Sequence, residues 1–180
     1  MLSRITDFEI KRLDMDNLPD ELYTFADTCA EQGMQNNISV AAMKIGKWGN
    51  EAWWCTWADG KIISISGCHQ MDQYEKGCWR LMVRTATLLE YRGRAPGSIR
   101  TIRTDFNWGH VLPYQVNYAV LQGATKVVFT TNSDSDGDKN SLRTNRVVRK
   151  VLEPQGLVKL DAQDVEIFYT RQNVWEIIIS

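Results

Sequence analysis

Apolar positions along this chain change period several times, and each change predicts an element. Ile5 to Leu13 alternates loosely around Phe8 and Ile10, as a first strand does. Asn17-Leu18-Pro19 then opens a helix, since Asn caps well and proline is tolerated in a first turn. Leu18, Leu22, Phe25 and Cys29 share one face of it, and Gly33 ends it. Ile38 to Ile45, where the period is ambiguous, reads as a short helix bounded by Gly46. Glu51 to Trp57 and Lys61 to Ser66 are β-rich runs joined through Asp59-Gly60, a strong hairpin signal. After a polar loop from Gly67 to Gly77, Cys78 to Leu89 forms a third strand, with Trp79, Leu81 and Val83 opposite Arg80, Met82 and Arg84.

The second half alternates helix and strand. Ile99 to Gly109 is irregular, and a helix is clear from about Leu112, with Leu112, Val116, Ala119 and Val120 on one face. Lys126 to Thr131 is a compact β-branched strand suited to a sheet interior. Asn132 to Asn140 is a polar loop, and Ser141 to Leu152 a helix stopped by Pro154-Gln155-Gly156. Leu157 to Leu160 and Val165 to Ile179 supply the last strands, turning near Gln172-Asn173. No repeat, linker or low-complexity tract interrupts this order, which is that of one mixed α/β domain over residues 1–180.

Composition narrows the partners. A chain of 180 residues, 43% hydrophobic and 24% charged, suits one buried core. Its formal net charge of −1 leaves no global field for nucleic acid or an anionic membrane, so a basic site must be local. No apolar run reaches the ~18 residues of a membrane span, and the N-terminus lacks a signal peptide's apolar region, so a cytoplasmic protein is expected. Cys29, Cys55, Cys68 and Cys78 lack the close pairing of a zinc site and read as buried free thiols. Asn132 to Gly137 mimics the start of a calcium loop, but its twelfth position is Arg143 and a strand precedes it; no metal is expected.

The local chemistry gathers at Glu90-Tyr91-Arg92-Gly93-Arg94-Ala95-Pro96-Gly97-Ser98, directly after the third long strand. Glycines let backbone N–H groups approach phosphate oxygens, and arginine adds charge in a fork that fits them. An ordinary polar turn has the same composition. His69 and His110 are the two imidazoles, and Glu51 and Glu90 the acidic alternatives for a base near neutral pH. Arg143, Arg146 and Arg149 recur every three residues, as on a solvated helix face. Trp48, Trp53, Trp54 and Trp57 cluster at the hairpin, to line a ligand pocket, meet a partner or fill the core.

In this order of elements the chain resembles the GNAT superfamily of acyl-CoA-dependent N-acyltransferases. That family's pyrophosphate loop, Gln/Arg-x-x-Gly-x-Gly/Ala, is matched at Arg92 and Gly97, with Ala95 at the first glycine. Its later signature, Asn-x-x-Ala-x-x-x-Tyr-x-x-x-Gly-Phe, is matched at Asn145 and Gly156, with Val148, Leu152 and Leu157 at Ala, Tyr and Phe. The resemblance implies a mostly antiparallel sheet with a splayed parallel pair, flanked by helices. It implies acetyl-CoA or another acyl-CoA as cofactor, with Thr87 and Leu88 at the pantetheine arm and acyl carbonyl. Arg92, Gly93, Arg94, Ala95, Gly97 and Ser98 would hold the pyrophosphate, with Asn145 also on the cofactor. The acceptor would be a small-molecule or peptide amine, not nucleic acid or membrane, and a homodimer is left open. His69 and Glu90 are the candidate bases. Leu152 stands where the family's tyrosine general acid is expected, so that role is either vacant or taken by Tyr169 or Tyr114.

Overall fold

The computed structural model describes residues 3–34, 45–97, 105–137 and 139–179, so all but the last residue of the helix expected at Ile38 to Ile45 lies outside them. Strand β1 (Glu9–Arg12) is shorter than its alternation suggests. The reason is a contact distant in the chain: the Ile5 amide donates to the Arg94 carbonyl at 2.7 Å instead of to a strand. Helix α1 (Asp20–Glu31) follows Pro19, while the Asn17 amide closes a turn on the Asp14 carbonyl at 3.2 Å and lies outside the helix. Next come β2 (Glu51–Ala58) and β3 (Lys61–Gln70). Asp59 and Gly60 between them have φ of 53° and 72°, the type I′ turn that Asp-Gly favours.

β3 runs on to Gln70, through what reads in sequence as a polar loop, because Gly67, Cys68 and His69 pair with Trp53, Ala52 and Glu51. Gly67 allows this directly: a Cβ there would stand 2.6 Å from the Trp53 ring. The remaining elements are β4 (Cys78–Thr87), α2 (Leu112–Leu121), β5 (Lys126–Asn132), α3 (Lys139–Val147), β6 (Val158–Ile167) and β7 (Thr170–Ile177). A π-helical turn, Asn107–Val111, leads into α2, and another, Val148–Leu152, continues α3. The seven strands form one mixed sheet in the order β1-β2-β3-β4-β5-β7-β6, with β4 and β5 parallel. No helix among the described residues is long and apolar enough to cross a membrane.

The chain forms two compact units, Met1–Gln70 with Leu81–Gln122, and Met71–Arg80 with Gly123–Ser180. In the first, Leu22, Phe25 and Cys29 of α1 join Trp53, Ile63 and Ile65 in one apolar cluster. Each such buried side chain contributes about 2 kcal/mol. Strand alternation turns Ser64 and Ser66 to the other face, where Gln115 of α2 donates to Ser66 Oγ at 2.8 Å. The buried face of α2 is therefore Gln115 and Ala119, in line with Val111 of the preceding turn, while Val120, expected inside, is half exposed.

In the second unit Met71, Cys78, Val128, Ile167 and Val174 form the core. The last hairpin turns at Phe168 and Tyr169, with φ of 51° and 65°, rather than near Gln172-Asn173. Those two residues resemble a turn in sequence but are buried in β7. There Asn173 Oδ1 accepts the Asp164 amide at 3.0 Å, where β6 carries an irregularity and Asp164 has φ of 53°.

Candidate functional site

β4 is the element on which the site is built. Its parallel register with β5 comprises Cys78 with Lys126, Trp79 with Val127 and Arg80 with Val128, and the strand then continues to Thr87. Met82 and Arg84 within that continuation have φ of 56° and 50°. Left-handed non-glycine residues in a strand mark a bulge and cost about 1–3 kcal/mol each unless the surroundings hold them. Here the hold is polar: the Met82 amide donates to Gln115 Oε1 at 2.9 Å, and Ser66 Oγ pairs with Thr85 Oγ1 at 2.8 Å.

At the end of β4 the groups expected to meet a pantetheine arm have partners within the fold. The Leu88 amide donates to the Ile63 carbonyl at 2.9 Å, and the Thr87 carbonyl accepts Arg92 Nε at 3.1 Å. Thr87 Oγ1 accepts the Asn107 amide group at 3.2 Å. After a single helical turn, Leu89–Tyr91, the chain enters the glycine-rich loop, where Gly93 and Gly97 have φ of 69° and 148°. Both arginines fold back onto the main chain. Arg92 Nη2 also meets Met34 Sδ at 3.1 Å, and Arg94 donates to the Ser3 and Glu90 carbonyls at 2.9 and 3.0 Å. Arg4 donates to the Gly93 carbonyl, so the N-terminal segment is stapled to the loop. The Ala95 methyl lies in the apolar cluster, turned away from solvent. Gly93 and Gly97 are exposed, and their amides donate to nothing among the described residues. Ser98 lies outside those residues.

The turn before α2 has an anion at its N-terminal end. Asp105 Oδ1 accepts the Asn107 and Trp108 amides at 2.8 and 3.0 Å, a side-chain cap. Burial pushes the Asp105 carboxyl above the ordinary carboxylate range, against the pull of these amides and of Arg92.

Of the candidate acid–base residues, His69 is deepest, at 1% exposure. Its ring stacks on Trp48 with centroids 4.4 Å apart, and Nδ1 lies 2.8 Å from the Gln70 carbonyl. That contact places the proton on Nδ1 and the basic lone pair on Nε2. Glu51, its cross-strand neighbour, accepts the Trp53 indole N–H at 2.8 Å. Glu90 is exposed, takes a hydrogen bond from Gln32 at 2.9 Å and pairs with Lys61 at 3.6 Å. Its own backbone amide first, then Gln32 and Lys61, outweigh burial and hold its carboxyl below the usual range. Tyr169 is 98% exposed at the β6–β7 turn. His110 meets the Pro96 carbonyl at 3.0 Å.

Asn145 is buried and saturated: it accepts Thr131 Oγ1 and donates to the Asn132 carbonyl and Asp134 at 2.8 and 2.9 Å. Leu152 is core. Arg149 of the basic stripe pairs with Asp134 at 2.6 Å, while Arg143 and Arg146 are exposed. All four thiols are buried, and desolvation pushes each to about 12, too high for a thiolate near neutral pH. Sequence reading passed over Gln115 and Asp105. Neither stands out locally: Gln115 reads as a polar surface position of its helix, and nothing distinguishes Asp105 from a loop carboxylate.

No family model matches the chain, and no curated protein matches it in sequence. Solved structures do match in shape. A protein assigned to the GNAT family of acetyltransferases, from Desulfovibrio desulfuricans, superposes with a TM-score of 0.58 at 14% identity, over 95% of this chain and 98% of that one. The Salmonella typhimurium acetyl transferase that modifies the N-terminal serine of ribosomal protein L7/L12 gives 0.58 at 10%, over 98% and 97%. PaiA N-acetyltransferase from Thermoplasma acidophilum, in complex with coenzyme A, gives 0.54 at 13%, over 96% and 100%. Element order, sheet topology and these superpositions agree: this chain has the fold of the GNAT N-acetyltransferases, in a sequence far diverged from each of them.

Proposed function

We infer that the chain is an acyl-CoA-dependent N-acyltransferase, one domain that moves an acetyl or other acyl group to an amine by direct attack. The observation that carries this reading is β4, whose register with β5 ends at Arg80 and whose continuation holds Met82 and Arg84 in the left-handed region. Acyl-CoA, when bound, supplies an acyl group already activated as a thioester. The loop fits its diphosphate at the main chain: the exposed Gly93 and Gly97 amides have no other acceptor among the described residues, and a Cβ at Gly93 would meet nothing within 4 Å. Arg92 and Arg94 flank those amides and supply the charge. His69 takes the amine proton at Nε2, while Trp48 screens the ring from water. Tyr169 is the exposed phenol offered for the acid role that Leu152 leaves open.

A second reading keeps the fold without catalysis, as an acyl-CoA-binding or protein-interaction module. It is favoured by the apolar, buried Leu152 and by the ion pair that holds Glu90.

Thermal unfolding with acetyl-CoA, against adenosine diphosphate as control, tests both. Saturation at about a hundredfold over Kd adds roughly 2.7 kcal/mol. The expected result is a shift specific to acetyl-CoA, reduced in Arg92→Ala and Arg94→Ala, together with release of free thiol when an amine panel is added. A shift with no thiol release from any amine supports the binding module. No shift at millimolar ligand removes the acyltransferase and the acyl-CoA-binding module and leaves the interaction module.

A further inference from the structure

The first unit carries a cleft of about 360 Å³ with charges of both signs in its lining: Arg12, Asp14 and Glu51. The volume is that of a small-ligand site. Arg12 makes no hydrogen bond or ion pair among the described residues; its guanidinium lies over the Tyr118 ring, 5.6 Å from the centroid. Tyr118 in turn meets Trp54 edge-on at 5.7 Å, which fixes that wall. Neither carboxylate turns to Arg12. Asp14 Oδ1 accepts the Asp16 amide at 3.0 Å, and Glu51 accepts the Trp53 indole at 2.8 Å and the Trp48 amide at 3.4 Å. A guanidinium and two carboxylates that share a cleft yet do not neutralise one another complement a ligand carrying both charges. Leu13, Met15 and Ala52 line the same cleft and offer apolar surface to the body of such a ligand.

We propose that this cleft binds a small aminocarboxylate, an α-amino acid or close analogue, with its carboxylate on Arg12 and its ammonium on Asp14 and Glu51. The fate of the amine rests on the acyl-transfer reading above: it is the acceptor. Glu51 is the register partner of His69 across β2–β3, which ties the lining of the cleft to the base of that reading. The ammonium first yields one proton to solvent. Its nitrogen then bonds to the acyl carbon as the carbon–sulfur bond breaks, the second proton passes to His69, and sulfur leaves as a thiolate that takes up a proton.

Calorimetric titration of the full chain, without acetyl-CoA, tests the cleft by itself. The probes are glycine, alanine, leucine and methionine, each beside its amide, which lacks the carboxylate, and its N-acetyl derivative, which lacks the ammonium. The expected result is saturable binding of at least one free amino acid. It should weaken at least tenfold in the amide and N-acetyl forms and in Arg12→Met and Glu51→Gln, and recover in part in Arg12→Lys. Circular dichroism checks that the variants fold, and Arg12 is exposed enough to be replaced without loss of core. Absence of binding at millimolar amino acid, or binding indifferent to Arg12→Met, overturns the proposal. The acetyl-CoA shift is read separately. Amino-acid binding without that shift sustains the cleft and sinks the acyl-transfer reading, whereas the shift without amino-acid binding does the reverse.

Discussion

Asp105 shows how much one side chain alters what a local pattern suggests. A helix N-terminus favours an anion, and here the chain supplies its own, through two amide hydrogen bonds to Oδ1. Asp105→Ala is expected to cost about 1 kcal/mol in urea unfolding, the usual loss for a cap. Asp105→Asn keeps an acceptor and removes the buried charge, so it should match or exceed wild type at neutral pH. The sign follows from linkage: a carboxyl whose folded pKa is raised holds its proton more tightly when native, so wild-type stability from this group grows as pH falls through that pKa. The advantage of Asp105→Asn should therefore shrink on acidification. An advantage that widens would contradict the burial argument.

Two elements depend on single contacts between neighbouring strands. β3 lies flat beneath the Trp53 ring only because position 67 has no Cβ. Gly67→Ala must displace an indole that is both buried and bonded to Glu51, and is expected to cost about 1–3 kcal/mol, as overpacking does. Tryptophan fluorescence and chemical unfolding would read it; unchanged stability would mean that Trp53 moves freely. In the second unit, Lys126 of β5 bridges Glu75 and Asp161 at 3.1 Å each, and Tyr74 donates to Asp161 at 2.5 Å. Burial raises the Asp161 carboxyl, but the Tyr74 hydroxyl and the Lys126 ammonium outweigh it and hold it below the ordinary range. That stabilisation is complete above the unfolded pKa of about 3.9 and is lost as pH falls through the folded one. Lys126→Met should destabilise at neutral pH, and its deficit should close in acid below that range. A deficit constant with pH would point to lost packing instead.

Across the whole molecule, β4 is the strand that both compact units share: Cys78 to Arg80 belong to one and Leu81 to Thr87 to the other. The acyl-CoA reading places the ligand's contacts on the later part and on the loop that follows. Hydrogen exchange with saturating acetyl-CoA should accordingly slow the amides of Gly93 and Gly97, which have no acceptor among the described residues. The Leu88 amide, bonded to Ile63, should change little. Protection confined to other segments would move the cofactor elsewhere. Stapling of the loop by Arg4, Arg94 and the Ile5 amide also predicts that deletion of residues 1–5 speeds exchange at the Arg94 amide, which donates to the Tyr91 carbonyl at 3.3 Å, even without ligand.

Element order, the Asp-Gly hairpin, the alternation of β4 and the buried strand β5 were all legible in the sequence, because each rests on a period or turn chemistry contained in a few neighbouring residues. The position of the glycine-rich loop after β4 was legible for the same reason. What the loop's arginines hold was not. Arg94 reaches Ser3, ninety-one residues away, and Arg92 turns to the Thr87 carbonyl, choices set by which carbonyls lack partners once the chain is folded. Gln172 and Asn173 look like a turn, and Gln115 like a surface residue, yet all three are buried. Composition predicts exposure for such side chains, and only a tertiary partner makes burial affordable: the Met82 amide for Gln115, the Asp164 amide for Asn173. The sequence by itself determined the elements and their order. The tertiary structure decided which polar groups serve the fold and which stay open to a ligand, because that depends on hydrogen-bond partners distant in the chain.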